Sequence, residues 1–176
     1  MEKKDLDWGN IGFSYMPTDK RYVANYKDGA WDEGGMTSDP NVVINECAGI
    51  LQYCQEIFEG LKAYTTEDGS IVTFRPDLTA ERMMDSARRL EMPPFPKERF
   101  LEAVDQVVKA NAAWVPPFGS GATLYLRPYM FATGPVIGVK PSQEYQFRLF
   151  GTPVGPYFKG GAKPLTLCVS DFDRAA

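Results

Sequence analysis

Tyr125 and Arg127 stand two residues apart in an otherwise apolar stretch, residues 123–128. Side chains two residues apart in a β-strand project from the same face, so we expect the hydroxyl and the guanidinium to lie side by side. A buried arginine without a partner is energetically very unfavourable. Arg127 is therefore expected to meet either an internal carboxylate or a bound anion, and the pattern alone leaves both open.

Two further arginines, Arg75 and Arg82, stand just before and within the first turns of a predicted helix. The planar fork of a guanidinium suits a phosphate or a carboxylate, so this segment is a second candidate for anion binding. The alternative is ordinary pairing on a solvated surface. The available partners would then be Asp77, Glu81 and Asp85.

Tyr53 and Phe58 stand five residues apart, and Phe58 is followed directly by Glu59 and Gly60. This pattern predicts a tight helix-to-strand transition beside a cavity lined by aromatic rings. Aromatic side chains are usually core or interface material, so the residue types alone favour core packing. The wall of a binding pocket is the alternative.

Composition excludes several kinds of chemistry. The 176 residues include 19 basic and 23 acidic side chains, a net charge of −4 at pH 7, and no histidine. The absence of histidine removes Ser-His and Cys-His nucleophile pairs and most zinc sites. The negative charge argues against a nucleic-acid partner, which usually requires a basic patch. Chemistry here must use lysine, arginine, tyrosine, carboxylates or a bound cofactor.

The sequence also predicts where the protein resides. The N-terminal residues lack the apolar core of a signal peptide, and no stretch approaches the roughly 20 apolar residues that span a bilayer. The three cysteines have no metal-like spacing and their odd number does not suggest a disulfide framework. We therefore expect a cytoplasmic protein with reduced thiols and no membrane partner.

Hydrophobic periodicity and turn chemistry predict the elements that position these residues. Each of two β-hairpins has a glycine at its turn, and the second of two helices has apolar side chains at helical spacing. The fold class is α+β, a two-layer arrangement of an antiparallel sheet with flanking helices. The predicted elements are hairpins at 22–33 and 61–75, helices at 76–90 and 97–114, and strands at 122–132, 145–153 and 164–170.

A segment rich in glycine and aromatic residues, 154–163, is typical of a connector between domains. We expect a small N-terminal domain at 1–153, an interdomain loop at 154–163 and the first strand of a second domain at 164–176. The residues after the connector are too few to form a second core.

Taken together, seven motifs in order resemble the branched-chain amino acid aminotransferases, which are fold-type IV enzymes dependent on pyridoxal phosphate. A single motif of this kind would be weak, whereas seven at family-like spacing are specific. The motifs are Gly12-Phe13 with Thr18-Asp19, then residues 26–31, 58–64, 74–76 with Arg82-Met83, 114–117, 125–128 and 153–158.

The resemblance implies the N-terminal part of the D-amino acid aminotransferase-like fold and a transferase reaction. An amino group would pass from leucine, isoleucine or valine to 2-oxoglutarate, with pyridoxal 5'-phosphate as electron sink. By the resemblance, Arg82 binds the cofactor phosphate. Tyr125 and Arg127 recognise the α-carboxylate of the substrate, and the second domain is the larger, cofactor-binding one.

The same resemblance implies walls for the substrate pocket. Phe13, Phe58 and Tyr125 would surround the aliphatic side chain of the substrate, and Tyr157 would lie in a loop that closes over it. A second set of residues would serve the site of the neighbouring subunit in a homodimer. This second set consists of Tyr53, Ile137 and Val139.

One departure from the family pattern concerns the lysine that bonds the cofactor. The resemblance places it beyond Ala176, so we expect no catalytic residue within the 176 residues and no transaminase activity from them alone. Alternatives within the superfamily are D-amino acid aminotransferases and aminodeoxychorismate lyases. An alternative from another class is a non-catalytic assembly or binding domain whose aromatic surface pairs with a second polypeptide.

Overall fold

The computed structural model describes residues 2–157, 163–169 and 171. Eight strands and three helices lie within residues 21–154. The described residues also include two short 3-10 turns, at Trp8–Asn10 and Ala112–Trp114. The strands are β1 (Arg21–Lys27), β2 (Ala30–Trp31), β3 (Gly35–Thr37), β4 (Glu56–Phe58), β5 (Leu61–Thr65), β6 (Ile71–Thr73), β7 (Thr123–Ala132) and β8 (Tyr145–Val154); the helices are α1 (Gly49–Tyr53), α2 (Pro76–Arg89) and α3 (Lys97–Ala110).

The strands form one antiparallel sheet in the order β2-β1-β8-β7-β5-β6, with β3 added to β1 and β4 added to β7. Its centre is the long pair β7 and β8, which stays in register from Thr123 opposite Val154 to Ala132 opposite Tyr145. The helices α2 and α3 pack on each other and α3 covers β8 and β1, so one face of the sheet is buried. The α+β prediction with an antiparallel sheet is confirmed.

The core lies between this sheet face and the two helices. Alternate residues of the central strands point into it, and the rings of Phe95 and Phe147 stack there with centroids 3.9 Å apart. Side chains of β7 and β8 that alternate with them point to the opposite, open face. Because the period of a strand is two, this face receives Tyr125, Arg127 and Tyr129 from β7.

Both predicted hairpins are present. At the first turn Asp28 has φ 52° and Gly29 has φ 84°, the left-handed geometry that a tight turn between β1 and β2 requires. The second hairpin joins β5 to β6 and also has a glycine at its tip, Gly69, with φ 83°. The helix predicted at 76–90 is confirmed by α2.

The prediction of one helix over 97–114 is wrong for its C-terminal turn. Helix α3 ends at Ala110, and a separate 3-10 turn follows at Ala112–Trp114. The cause is Asn111, fully buried, whose side-chain nitrogen donates to the carbonyl oxygens of Lys20 and Val107 while its Oδ1 accepts from the Lys20 amide. An asparagine that satisfies the backbone of a distant strand does not continue a helix.

The strand predicted at 164–170 is also not formed in the part of the chain that the structure describes. Residues 163–169 have no ladder partner there. Half of the predicted connector, residues 158–162 of 154–163, and the end of the predicted second-domain strand fall outside the described residues. The proposed domain boundary therefore stays a prediction. Within the described residues, no helix is long and apolar enough to cross a membrane.

Candidate functional site

The predicted helix-to-strand transition is formed between α1 and β4. Helix α1 ends at Tyr53 and is capped by Cys54. This residue has a left-handed conformation with φ 52°, and its amide donates to the carbonyl of Ile50. This cap turns the chain so that β4 starts two residues later and pairs with the end of β7. Phe58 is thereby held on the open side, with 60% of its surface exposed, and core packing is excluded for it.

Tyr125 and Arg127 lie side by side, as strand alternation predicts. Nε and Nη2 of Arg127 donate to the hydroxyl oxygen of Tyr125 at 3.2 and 3.0 Å. The guanidinium also lies over the ring of Phe58, 4.5 Å from its centroid. Among the described residues Arg127 has no carboxylate partner, so the internal ion pair that was one of two expectations is absent there. The other expectation, a bound anion as the partner of Arg127, remains.

Two aromatic residues from the ends of the described domain join this group. The ring of Phe13 lies 6.3 Å from that of Tyr125 and meets the ring of Tyr157 edge-on at 5.6 Å. The amide of Gly155 donates to the carbonyl of Gly12 at 3.0 Å, which ties the two segments together. The N-terminal segment and the segment after β8 therefore form one side of the same aromatic cluster.

The arginines near α2 have different partners. Arg75 makes a two-pronged pair with Asp77, donating from Nε at 2.9 Å and from Nη2 at 2.7 Å, and this lowers the pKa of Asp77 to about 2. Surface pairing, the alternative reading, thus holds for Arg75. Arg82 instead donates from Nε and Nη2 to the carboxylate of Glu59 at 3.1 and 2.6 Å, and the hydrogen bond to Glu59 raises its pKa.

A cleft of about 420 Å³ joins Arg75 and Arg82 to Tyr125. It lies along β5 and the start of α2 and is lined by three cationic side chains, of which two have carboxylate partners within the described residues. Lys62, the cross-strand neighbour of Tyr125, is the third cation. A cleft with this charge and an aromatic hydroxyl can hold a small anion. It is lined by Gly60, Leu61, Lys62, Tyr64, Phe74, Arg75, Leu78, Thr79, Arg82 and Tyr125.

Tyr53, Ile137 and Val139 form a separate group. The hydroxyl of Tyr53 donates to the carbonyl of Ile137, and the amide of Val136 donates to Cys47, so the loop after β7 is tied to the segment around α1. Ile137 is 74% exposed and Val139 is 90% exposed. The structure brings Tyr53 and Ile137 into contact, with Val139 two residues further along the chain, and none of the three lines the cleft of Arg82.

One residue of the cleft, Lys62, and the carboxylate partner of another, Glu59, carried no functional assignment from the sequence. Strand alternation within its motif predicts a structural role for Lys62, although its register opposite Tyr125 places its side chain on the open face. Glu59 lies within the Phe58 to Tyr64 motif, but nothing in the sequence pairs it with an arginine 23 residues away. The first contact depends on the pairing of β5 with β7, and the second depends on α2 lying beside β4.

Comparison with known proteins places these features in a family context. No family model matches the chain. Branched-chain-amino-acid aminotransferases are 54% identical in Haemophilus influenzae and 46% identical in Helicobacter pylori, each over 98% of this chain. A chloroplastic enzyme of that name from Arabidopsis thaliana is 45% identical over 99% of it. The chain spans about half the length of these relatives, 50%, 52% and 42%.

Solved structures show the same fold. The branched-chain amino acid aminotransferase of Escherichia coli superposes with a TM-score of 0.61 at 22% identity, over 80% of this chain and 41% of its own. The enzyme of Thermoproteus uzoniensis, solved with norvaline, gives 0.64 at 23% identity over 81% and 43%. These structures confirm the fold expected from the motifs, and the sequence relatives confirm the resemblance.

Proposed function

We propose that this chain forms the substrate-recognising part of a branched-chain-amino-acid aminotransferase, because it is related to such enzymes over nearly its whole length. The full-length protein would transfer the amino group of leucine, isoleucine or valine to 2-oxoglutarate. The observation that carries this proposal is the cleft that joins Arg82 to Tyr125, the hydroxyl partner of Arg127.

The described residues fit a phosphate-bearing cofactor. Arg82 uses Nε and Nη2 for Glu59, and its Nη1 makes no hydrogen bond within the described part of the chain. Lys62 and Arg75 add positive charge to the same cleft. We infer that Arg82 holds the phosphate of pyridoxal 5'-phosphate, which supplies the electron sink for the reaction when bound. Glu59 fixes the direction of the guanidinium.

Substrate recognition follows from the contacts of Arg127. Because Tyr125 accepts from Arg127 through its oxygen, its own hydroxyl hydrogen remains available for a substrate carboxylate. Arg127 is held by Tyr125 on one side and the ring of Phe58 on another, so its charge is oriented before substrate arrives. The rings of Phe13 and Phe58 provide apolar contacts for a branched side chain.

The remaining sequence assignments complete the proposal. Tyr157, in contact with Phe13, belongs to a segment that closes over the substrate. Tyr53, Ile137 and Val139 serve the neighbouring subunit of a homodimer, consistent with their exposure and their separation from the cleft. The small domain covers 1–153 and the larger one follows the loop at 154–163. The lysine that bonds the cofactor belongs to the larger domain, and the enzyme is cytoplasmic.

A substrate panel with the full-length protein tests this function. We expect amino transfer from leucine, isoleucine and valine to 2-oxoglutarate, and at least about tenfold weaker transfer from D-alanine. Preference for D-alanine, or conversion of aminodeoxychorismate, would contradict the proposal in favour of another fold-type IV enzyme. Absence of cofactor binding by the full-length protein would favour a non-catalytic assembly domain.

Replacing Arg82 by methionine is expected to weaken binding of pyridoxal phosphate by about 10- to 100-fold, because one charge-assisted contact contributes roughly 1.5–3 kcal/mol. Arg88 on the same helix is a matched control, because its side chain is as exposed, 58%, and is paired with Asp85. Titration of the full-length apoprotein with cofactor measures both. Equal affinities for Arg82→Met and Arg88→Met would contradict the assignment.

Replacing Gly60 by alanine is expected to lower kcat/KM for leucine by about 10- to 100-fold, because small displacements of positioning groups are costly. A Cβ at Gly60 would lie 2.5 Å from the hydroxyl oxygen of Tyr125 and 3.1 Å from its Cζ, so the Tyr125 side chain, which accepts from Arg127, must shift. Gly35→Ala is the control, since no atom lies within 4 Å of the added Cβ there. Steady-state kinetics unchanged in Gly60→Ala would show that the position of the Tyr125 ring is unimportant.

A further inference from the structure

A second cleft, of about 470 Å³, opens on the same sheet face as Arg127 but over β8 and β1. Tyr129 of β7 borders it, two residues beyond Arg127, and Arg148 and Phe150 of β8 and Arg21 of β1 form its floor. Neither Arg82 nor Tyr125 lines it. The lining consists of Tyr15, Arg21, Pro40, Asn41, Tyr129, Arg148 and Phe150.

The two arginines of this cleft are deeply buried, with only 3% of Arg21 and 6% of Arg148 exposed. Neither forms an ion pair within the described residues. Arg21 donates to the carbonyls of Thr18 and Ser38, and Arg148 donates to those of Asp39 and Asn41 and to Gln146. Carbonyl oxygens satisfy hydrogens but leave two positive charges without a paired anion.

One buried nitrogen of these two guanidinium groups has no partner at all among the described residues. Nε of Arg21 is buried and has no hydrogen-bond partner within the described part of the chain. Each guanidinium carries five hydrogens, and the hydrogen bonds within the described residues use two of those on Arg21 and three of those on Arg148. The pair therefore has hydrogen-bonding capacity that the protein itself does not fill.

The neighbouring carboxylate of Asp39 does not neutralise this pair. Asp39 lies outside ion-pair distance and its carboxylate is exposed; hydrogen bonds from Asn41 are the main cause of its lowered pKa, and Arg148 and Arg21 contribute less. Tyr129 faces the same two arginines, yet burial raises its pKa, so its hydroxyl stays protonated at neutral pH. It can donate to an anion but cannot replace one.

The remaining walls are aromatic. The rings of Tyr15 and Phe150 meet edge-on at 5.7 Å, and Tyr129 and Phe150 do so at 6.0 Å. A ligand that fits this combination has a negatively charged end for the guanidinium groups and an apolar body for the rings. Inorganic phosphate would satisfy the first requirement only, whereas a carboxylate matches the planar fork of arginine and can carry such a body.

We propose that this cleft, built by Arg21, Arg148, Tyr129 and Phe150, is a binding site for a small organic carboxylate, separate from the cleft that Arg82 and Tyr125 line. The carboxylate contacts the two guanidinium groups and the Tyr129 hydroxyl, and the apolar part of the ligand lies against Tyr15 and Phe150. This site does not depend on the proposed transaminase function, since none of its residues has a role there.

Binding of 4-fluorobenzoate to the full-length protein, followed by fluorine NMR, tests the chemistry of the site. We expect saturable binding that benzoate displaces and that uncharged benzamide, of the same shape, displaces at least about tenfold less well, because benzamide lacks the charge. Inorganic phosphate should compete weakly. Equal displacement by benzamide, stronger displacement by phosphate, or no saturable binding would overturn the proposal.

Variants locate the binding within the molecule. Arg148→Met is expected to weaken 4-fluorobenzoate binding about tenfold or more, whereas Arg127→Gln, at the partner of Tyr125, should leave it unchanged. The opposite result would place the ligand at Arg127 and overturn the proposal. Should Arg148→Met not fold, as judged by circular dichroism, Tyr129→Phe decides: it removes one hydroxyl, so binding about threefold or more weaker supports the site and unchanged binding contradicts it.

Discussion

Replacing Arg127 by glutamine in the full-length protein is expected to lower kcat/KM for leucine by about 10²–10³-fold. Truncating one member of a desolvated, charge-assisted contact costs roughly 2–5 kcal/mol, and each 1.4 kcal/mol is a factor of ten. In this site the loss has a specific cause. The guanidinium that contacts Tyr125 at 3.0 Å and lies over the ring of Phe58 has no carboxylate of its own within the described residues.

Two controls separate carboxylate recognition from general damage to the site. Arg88→Gln, an exposed arginine of α2 paired with Asp85, should leave kcat/KM unchanged within about twofold. Leucinamide, which lacks the carboxylate, should be a poor substrate for the wild-type protein and should lose little further activity in Arg127→Gln. Equal losses for leucine and leucinamide would show that Arg127 acts on something other than the carboxylate.

Replacing Phe147 by alanine is expected to destabilise this domain by about 3–5 kcal/mol, the range for removing a large buried aromatic ring. Phe147 is fully buried, stacks on Phe95 at 3.9 Å and contacts Tyr22 and Phe100 edge-on or tilted, so the cavity left behind cannot easily close. Hydrogen exchange of the β7 and β8 amides in the full-length protein measures the loss, since these strands open with the core.

Phe118→Ala provides the matched comparison for the core prediction. The Phe118 side chain is 62% exposed, so its removal should change the free energy of opening by about 0.5 kcal/mol or less. Phe147→Leu keeps most of the side-chain volume, so its destabilisation should lie between those of Phe147→Ala and Phe118→Ala. A cost below about 1 kcal/mol for Phe147→Ala would mean that the sheet and helices do not share the core described here.

The regular elements were predictable from sequence because their signals are local. Hydrophobic period two produced the paired long strands β7 and β8, and Asp28-Gly29 predicted the first turn because only left-handed backbone closes it. The end of α3 was missed because its cause is not local. Asn111 ends the helix by bonding Lys20, which lies 91 residues earlier in the chain.

The candidate site, like the fold, was predictable where its signals are local in the sequence. The contact of Tyr125 with Arg127 follows from strand alternation, and the family motif singled out Arg82 and Phe58. The partner of Arg82 did not follow, since the pair with Glu59 requires α2 to lie beside β4. The second arginine cluster was invisible for the same reason. Arg21 and Arg148 come together only because β1 and β8 are neighbours in the sheet.

The most direct test of the central claim is a crystal structure of the full-length protein with pyridoxal phosphate and 4-methyl-2-oxopentanoate, the 2-oxo acid of leucine. The proposal predicts the carboxylate of the 2-oxo acid within about 2.7–3.2 Å of the Arg127 guanidinium and the Tyr125 hydroxyl, and the cofactor phosphate on Arg82. A carboxylate bound elsewhere, or a phosphate that leaves Arg82 paired only with Glu59, would contradict it.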